Sequence, residues 1–156
     1  MPEYTIFIAA DHRGFEKKEA LFPLLNECHE NVHAEDLGPE SYDKDDDYND
    51  AAVAVARAVL QTKNSFGVLI CGSAHGVTMQ ANRFKGIRAI AAYNEPLAKI
   101  GREHDDANLL CLSADFTAHD PDQNFKIAQT FLATPRDESP RYLRRIAKLN
   151  QYGEDR

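Results

Sequence analysis

The run Phe66-Gly67-Val68-Leu69-Ile70 carries no polar side chain. It turns through Cys71-Gly72-Ser73-Ala74-His75-Gly76 and resumes at once as a helix-like segment to Arg83. A strand without a polar face has to be covered on both sides, and a strand that passes directly into a helix reads as part of a βαβ unit. The rest of the chain repeats this pattern. Tyr4 to Ala10 is a second apolar run rich in β-formers, followed by a helical stretch from Phe15 to Cys28 that Pro23 is expected to shorten or kink. Val32 to Leu37 reads as a weaker strand closed by Gly38-Pro39. A helix from Ala51 to Gln61 follows an N-cap at Asp50, with Tyr48 in the preceding loop. Ile87 to Ala92 and Asn108 to Leu112 are further strands, separated by a helix from Pro96 to His104. Two more helices are expected, Pro121 to Ala133 behind Asp120 and a basic one from Pro140 to Gln151. This alternation predicts an α/β fold, a three-layer α/β/α sandwich around a five-stranded parallel sheet, Rossmann-like, with right-handed crossovers.

At 156 residues the chain is expected to form a single domain over 1–156. Its formal net charge of −7 argues against nucleic acid or an anionic membrane surface as the main partner. No run of about 18 apolar residues is present, so no membrane span is expected. Met1-Pro2-Glu3-Tyr4 has neither the basic region nor the apolar core of a signal peptide. The cysteines Cys28, Cys71 and Cys111 are odd in number, scattered and without zinc spacing. They read as reduced thiols of a cytoplasmic protein, with no metal site. The acidic stretch from Asp43 to Asp50 reads as a solvated loop, since it lacks the ligand spacing and central glycine of an EF-hand. His29, His33 and His119 read as surface or structural histidines.

In parallel sheets, ligands bind beyond the carboxyl ends of the strands. Strand one places Asp11 and His12 there, and strand three places Cys71 and Ser73. Tyr48 lies in the loop after strand two, and His104 and Asp105 close the helix before strand five. Acid–base groups, a thiol and an anion-binding turn are therefore expected to gather at one edge. The backbone N–H groups of the turn and of the following helix start form a natural anion site. A thiol beside such donors suits chemistry on an anionic or carbonyl-bearing small molecule. From pattern alone, a buried structural cysteine on a plain connecting turn fits the same stretch equally well.

Asp11-His12-Arg13-Gly14-Phe15, Cys71-Gly72-Ser73, Gly76, Ala81-Asn82-Arg83, Gly86-Ile87-Arg88, His104-Asp105 and Asn108 recur in this order in one known family. Over about Tyr4 to Leu149 the chain resembles the ribose-5-phosphate isomerase B and galactose-6-phosphate isomerase family. The resemblance implies reversible aldose–ketose isomerisation of a phosphosugar through a cis-enediolate, with no metal or cofactor. It implies Cys71 as the base that moves a proton between C1 and C2, and Ser73 as the hydroxyl that shuttles one between O1 and O2. It assigns ring opening to Asp11 and His104, and a sugar-lining role to Tyr48. His12, Arg141 and Arg145 match phosphate positions, so the C-terminal helix at about 140–151 would complete the phosphate site. Gly72, Ala74, His75, Gly76 and Asp105 match the remaining substrate contacts. The base needs a partly ionised thiol, which a helix N-terminus favours, and backbone donors from Gly72 to Gly76 suit the enediolate. Arg141 and Arg145, four apart on a predicted helix, can face one anion. On sequence alone they are also a solvated helix end. The resemblance further implies a homodimer or a dimer of dimers, with active sites at the interface.

Several positions depart from the family pattern. Ala74 replaces a glycine, which calls for a rearranged loop or an ordinary φ at that residue. His75 follows it, facing either the anion hole or solvent. Asn49 follows Tyr48 where a proline is frequent. Asp105 stands where an asparagine is frequent, and Asp115 where a phosphate-linked arginine is frequent, with Arg13 as a compensating cation. These positions bear on which sugar phosphate is used. A divergent isomerase of another sugar phosphate is a second reading. A phosphosugar-binding homologue with little or no catalysis is the alternative of a different class, and the retention of Cys71, Ser73, Asp11 and His104 argues against it. A flavodoxin-like cofactor protein fits poorly, because Asp11-His12-Arg13 puts a carboxylate where a phosphate loop would follow strand one.

Overall fold

The computed structural model describes residues 3–117 and 122–154. Five parallel strands, β1 (Tyr4–Ala10), β2 (Val32–Asp36), β3 (Ser65–Cys71), β4 (Ala89–Ala91) and β5 (Leu109–Ser113), lie in the order β2-β1-β3-β5-β4. They alternate with α1 (Phe15–Glu27), α2 (Tyr48–Gln61), α3 (His75–Ala81) and α4 (Glu95–Asp105). Helices α5 (Gln123–Ala133) and α6 (Pro140–Leu149) follow β5. The α/β sandwich expected from the two-faced apolar runs is present. The reason is visible along β3, where consecutive residues alternate between two separate cores. Val68 and Ile70 join Ile6, Ile8, Leu110 and Leu112 under α1, α4 and α5. Leu69 and Cys71 join Phe7, Ala9, Leu109 and Cys111 under α2 and α3.

Some boundaries differ from the sequence reading. Helix α2 starts a turn earlier than Ala51, behind Asp47 rather than Asp50, so Tyr48 is its first residue and not part of the loop. The Asp47 backbone is extended (φ −107°, ψ 132°), and its carbonyl already accepts from the Asp50 N–H. Helix α1 runs straight through Pro23. The carbonyl deprived of a donor there belongs to Glu19, an exposed residue, so it is not left in an apolar interior. Strand β4 is trimmed to three residues and α3 ends at Ala81. His119, Asp120 and Pro121 lie outside the described residues.

The chain leaves β1 for β2 on one side of the sheet and later returns to β3 on the other. The strand order therefore reverses between β1 and β3, and the crevice beyond their carboxyl ends is the expected ligand position. The register sets Ala10 beside Ile70 and Cys71 beside Ser113, so Asp11 and Cys71 emerge from neighbouring strands. Two local devices hold that edge. Lys18, fully buried on α1, bonds Asp36 Oδ2 at 2.5 Å and Glu19 Oε1 at 2.8 Å, tying α1 to the end of β2. A buried ammonium needs such partners. Gly14 lets α1 start against β3, since a Cβ there would sit 2.4 Å from the Ile70 carbonyl oxygen.

That contact is with backbone and has no flexible side chain to move aside. Gly14→Ala is expected to lower stability by about 1–3 kcal/mol, the usual range for overpacking. Urea unfolding of the two proteins checks it, and an unchanged midpoint would contradict the close approach.

Candidate active site

Cys71 is the last residue of β3 and is nearly sealed in, at 4% exposure. The turn after it is strained. Ala74 has φ 69° and ψ −6°, the left-handed region, which costs a non-glycine residue about 1–2 kcal/mol. Of the two expectations for Ala74, a rearranged loop or an ordinary φ, the ordinary φ is not met; the left-handed form is held by three hydroxyl contacts. The Ser73 carbonyl accepts a 2.6 Å bond from the Tyr93 hydroxyl, and the Ala74 carbonyl accepts a 2.6 Å bond from Thr78 Oγ1. Ser73 Oγ in turn accepts from the His75 N–H at 3.3 Å. Ala74 itself has no exposed surface. It shapes the turn, while Gly72, Ser73, His75 and Gly76 keep exposed surface. The His75 side chain is exposed at the first position of α3.

Asp11 is buried at the end of β1, where its Oδ1 accepts from the Arg13 and Gly14 N–H groups at 2.9 and 3.1 Å. Burial pushes its carboxyl above the usual carboxylate range, and these two bonds only partly offset that. His12 beside it is oriented by Asp46, whose Oδ1 takes both the His12 N–H at 2.9 Å and the Nδ1 at 2.8 Å. Asp46 belongs to the acidic stretch read as a plain solvated loop, and this is a correction: one of its carboxylates reaches into the site. Tyr48 lies on the turn, for a Cβ at Gly76 would meet its ring at 2.7 Å. Only glycine at 76 allows that stacking. Arg13 forms an ion pair with Asp115 across Gly72, whose Cβ would fall 3.0 Å from Asp115 Oδ2. Asp115 is therefore a partnered carboxylate, and Arg13 is already engaged.

The remaining candidates are elsewhere. Helix α4 leaves the carboxyl end of β4 and finishes at the amino end of β5. There the Asp106 carbonyl accepts from Arg88 Nε at 2.8 Å, and Asp106 pairs with Arg88 and Arg102. His104 stacks on Tyr142 of α6, with ring centres 4.5 Å apart and planes 8° apart. The Asp137 N–H bonds the Glu103 carbonyl at 2.8 Å and fixes the approach of α6. Arg141 and Arg145 are exposed on α6, and Asp105 is exposed at the end of α4. The four residue steps from Leu109 to Ser113 alone separate the two levels by ~13 Å. The expectation of one gathered edge is thus corrected. Asp11, His12, Tyr48, Cys71 and Ser73 form one group, and His104, Asp105, Arg141 and Arg145 belong to the other end of the same chain.

Sequence reading missed Asp46, Tyr93 and the Arg13–Asp115 pairing. Asp46 is one acid among Asp43, Asp45, Asp47 and Asp50, with nothing to single it out. Tyr93 had a signal, because it follows β4 at the same edge that delivers Asp11 and Cys71. Cys28, Cys71 and Cys111 are free thiols. Among the described residues no cluster of His, Cys, Asp and Glu suits a metal ion, and no helix is long and apolar enough to cross a membrane.

Residues 6–149 match the model of a family described as ribose/galactose isomerase. A Mycoplasma pneumoniae protein named probable ribose-5-phosphate isomerase B is 40% identical over 96% of this chain and 95% of its own length. The crystal structure of Mycoplasma genitalium ribose-5-phosphate isomerase B with bound ribulose-5-phosphate superimposes with a TM-score of 0.88. It is 38% identical, covering 97% of each chain. The Trypanosoma brucei type B enzyme gives a TM-score of 0.89 at 34% identity, covering 97% of this chain and 99% of its own.

The Asp46 carboxylate, aided by Asp11, raises the His12 pKa above the ordinary histidine value. A raised value means the His12–Asp46 ion pair is fully formed below about pH 6.5 and is lost as pH rises through the higher folded value. Histidine-ring NMR is expected to show His12 titrating above the ordinary histidine value and falling back toward it in Asp46→Asn. An unshifted titration in the variant would contradict the pairing.

Proposed function

The chain belongs to the ribose/galactose isomerase family, and we propose that it interconverts ribose 5-phosphate and ribulose 5-phosphate through a cis-enediolate with Cys71 as base. The observation that carries this reading is the position of Cys71: the carboxyl end of β3, at the strand-order reversal, next to Asp11 and opening the Ser73 turn. Cys71 Sγ takes the proton from C2 of the open-chain aldose, and the electron pair delocalises onto O1. The same sulfur then returns the proton to C1, leaving the C2 ketone. Ser73 Oγ carries the hydroxyl proton from O2 to O1, so the step balances without any oxidant or cofactor. The amides of Gly72, Ser73 and Gly76 are the available donors for the enediolate oxygens. Asp11, with its carboxyl raised by burial, is suited to exchange a proton during ring opening. His12, held by Asp46, offers a cation to the phosphate, and Tyr48 lines the sugar.

His104, Asp105, Arg141 and Arg145 cannot reach that edge within their own chain. We assign them to the site of a second copy, with His104 sharing ring opening and the two arginines completing the phosphate clamp. The exposed apolar residues of α4 and α6, Leu97, Ile100, Leu143 and Leu149, support a partner on this side. The working unit is then a homodimer, or a dimer of dimers, of single-domain subunits. Three free thiols suit a reducing cytoplasmic setting.

Cys71→Ala is expected to lower turnover of ribose 5-phosphate by about 10²–10⁴-fold, the range for losing a positioned base, while phosphosugar binding persists. Arg141→Ala is expected to raise KM by about 10–100-fold with kcat little changed, the effect of losing one charged hydrogen bond to phosphate. A coupled assay of ribulose 5-phosphate formation, with binding calorimetry, reads both. Wild-type turnover of another sugar phosphate but not ribose 5-phosphate would move the substrate, and full activity in Cys71→Ala would remove the thiol as base.

A further inference from the structure

Tyr93 follows β4 and is fixed on both sides. The Ala92 N–H bonds the Cys111 carbonyl at 3.1 Å, and Asn94 caps α4 by accepting from the Leu97 N–H at 3.0 Å. From this rigid base the half-buried Tyr93 side chain reaches the turn after β3 and donates its 2.6 Å bond to the Ser73 carbonyl. Burial, and behind it the neighbouring Cys71 and Cys111, keeps the phenol above the ordinary tyrosine value, so it stays a protonated donor through the neutral range.

The acceptor is the carbonyl whose orientation matters most. A peptide unit is planar, so fixing the Ser73 oxygen fixes the whole Ser73–Ala74 plane. That plane sets the φ of Ala74, which stands at 69° although alanine disfavours this region by about tenfold or more in population. Thr78 holds the far side of Ala74 through its carbonyl, and the His75 N–H bond holds the Ser73 hydroxyl. Without the phenol, the near side of Ala74 has no side-chain anchor among the described residues. The peptide is then free to rotate toward an ordinary φ, turning the Ala74 N–H and shifting the His75 N–H that holds the Ser73 hydroxyl.

We propose that Tyr93 is a positioning residue for isomerisation, locking the Ser73–Ala74 peptide in the left-handed form that aims Ser73 at the sugar oxygens O1 and O2. This rests on the isomerase reading above. It differs from a purely structural role because the cost falls on turnover, and because glycine at 74 relieves it. Glycine takes positive φ as readily as negative, so it needs no anchor.

The test is steady-state kinetics of Tyr93→Phe, Ala74→Gly and the double variant on the sugar phosphate that the wild type converts, with thermal unfolding measured alongside. Tyr93→Phe is expected to lower kcat about tenfold, in line with the left-handed penalty, with KM changed less than about twofold. Adding Ala74→Gly to it is expected to restore most of the loss relative to Ala74→Gly alone. Wild-type kcat in Tyr93→Phe, a loss confined to KM, or a double variant with no recovery would each overturn the role of Tyr93. A wild type that converts no sugar phosphate would instead sink the isomerase reading, and the positioning role with it.

Discussion

Strands that are apolar on both faces leave polar chemistry only the strand ends. In this chain Val68 and Ile70 face one core while Leu69 and Cys71 face the other, and both cores are closed by helices. The helices that cross over between strands cover both faces of a parallel sheet, and a parallel sheet puts every carboxyl end at the same edge. Asp11 and Cys71 arrive at that edge from adjacent strands, at the reversal of strand order. Their proximity comes from hydrogen-bonded register rather than from any attraction between them. The polar groups that follow are then fixed by short local bonds: Asp11 on two backbone amides, His12 on Asp46, and the Ser73 turn on Tyr93 and Thr78.

The same winding rule sends His104 away. A helix that crosses over between parallel strands starts at one edge and ends at the other, so a residue in the last turn of α4 cannot join Cys71. Arg102 reinforces this, buried between the rings of Phe66 and Phe131 while it bonds Asp106 and the Ala107 carbonyl. His104 is then held against Tyr142, on the helix that carries Arg141 and Arg145. Each chain thus has two polar groupings at opposite ends, one rich in acid–base and anion-turn groups, the other in arginines. A two-fold axis is the simplest operation that brings one end of a chain to the other end of its copy, and it makes two equal sites at once.

Most of the fold was legible because short apolar runs without alternation, each followed by a helical pattern, call for strands covered on both faces. The placement of Asp11, Cys71 and Ser73 at one sheet edge was legible for the same reason, since each lies at or just beyond the end of a readable strand. Ala74 was misjudged because a general preference against positive φ carries no information about hydroxyls from Tyr93 and Thr78, nineteen and four residues away in sequence. Asp46 was indistinguishable from its acidic neighbours, because its partner lies 34 residues upstream. The position of His104 relative to Cys71 was misjudged although the winding rule was available, since helix direction follows from strand order once every strand is parallel.

The central claim is that each site is built from the Cys71 end of one chain and the Arg141 end of another. Mixing inactive Cys71→Ala with a weak-binding Arg141→Ala/Arg145→Ala variant, after dissociating and reassociating the subunits, tests it directly. A mixed dimer would contain one site with both defects and one with neither. An equal mixture of two-fold dimers is then expected to regain about a quarter of wild-type activity at low substrate, where neither variant alone turns over appreciably. Recovery near that level would establish the shared site. A mixture no more active than the average of its components, with subunit exchange verified by mass, would contradict it.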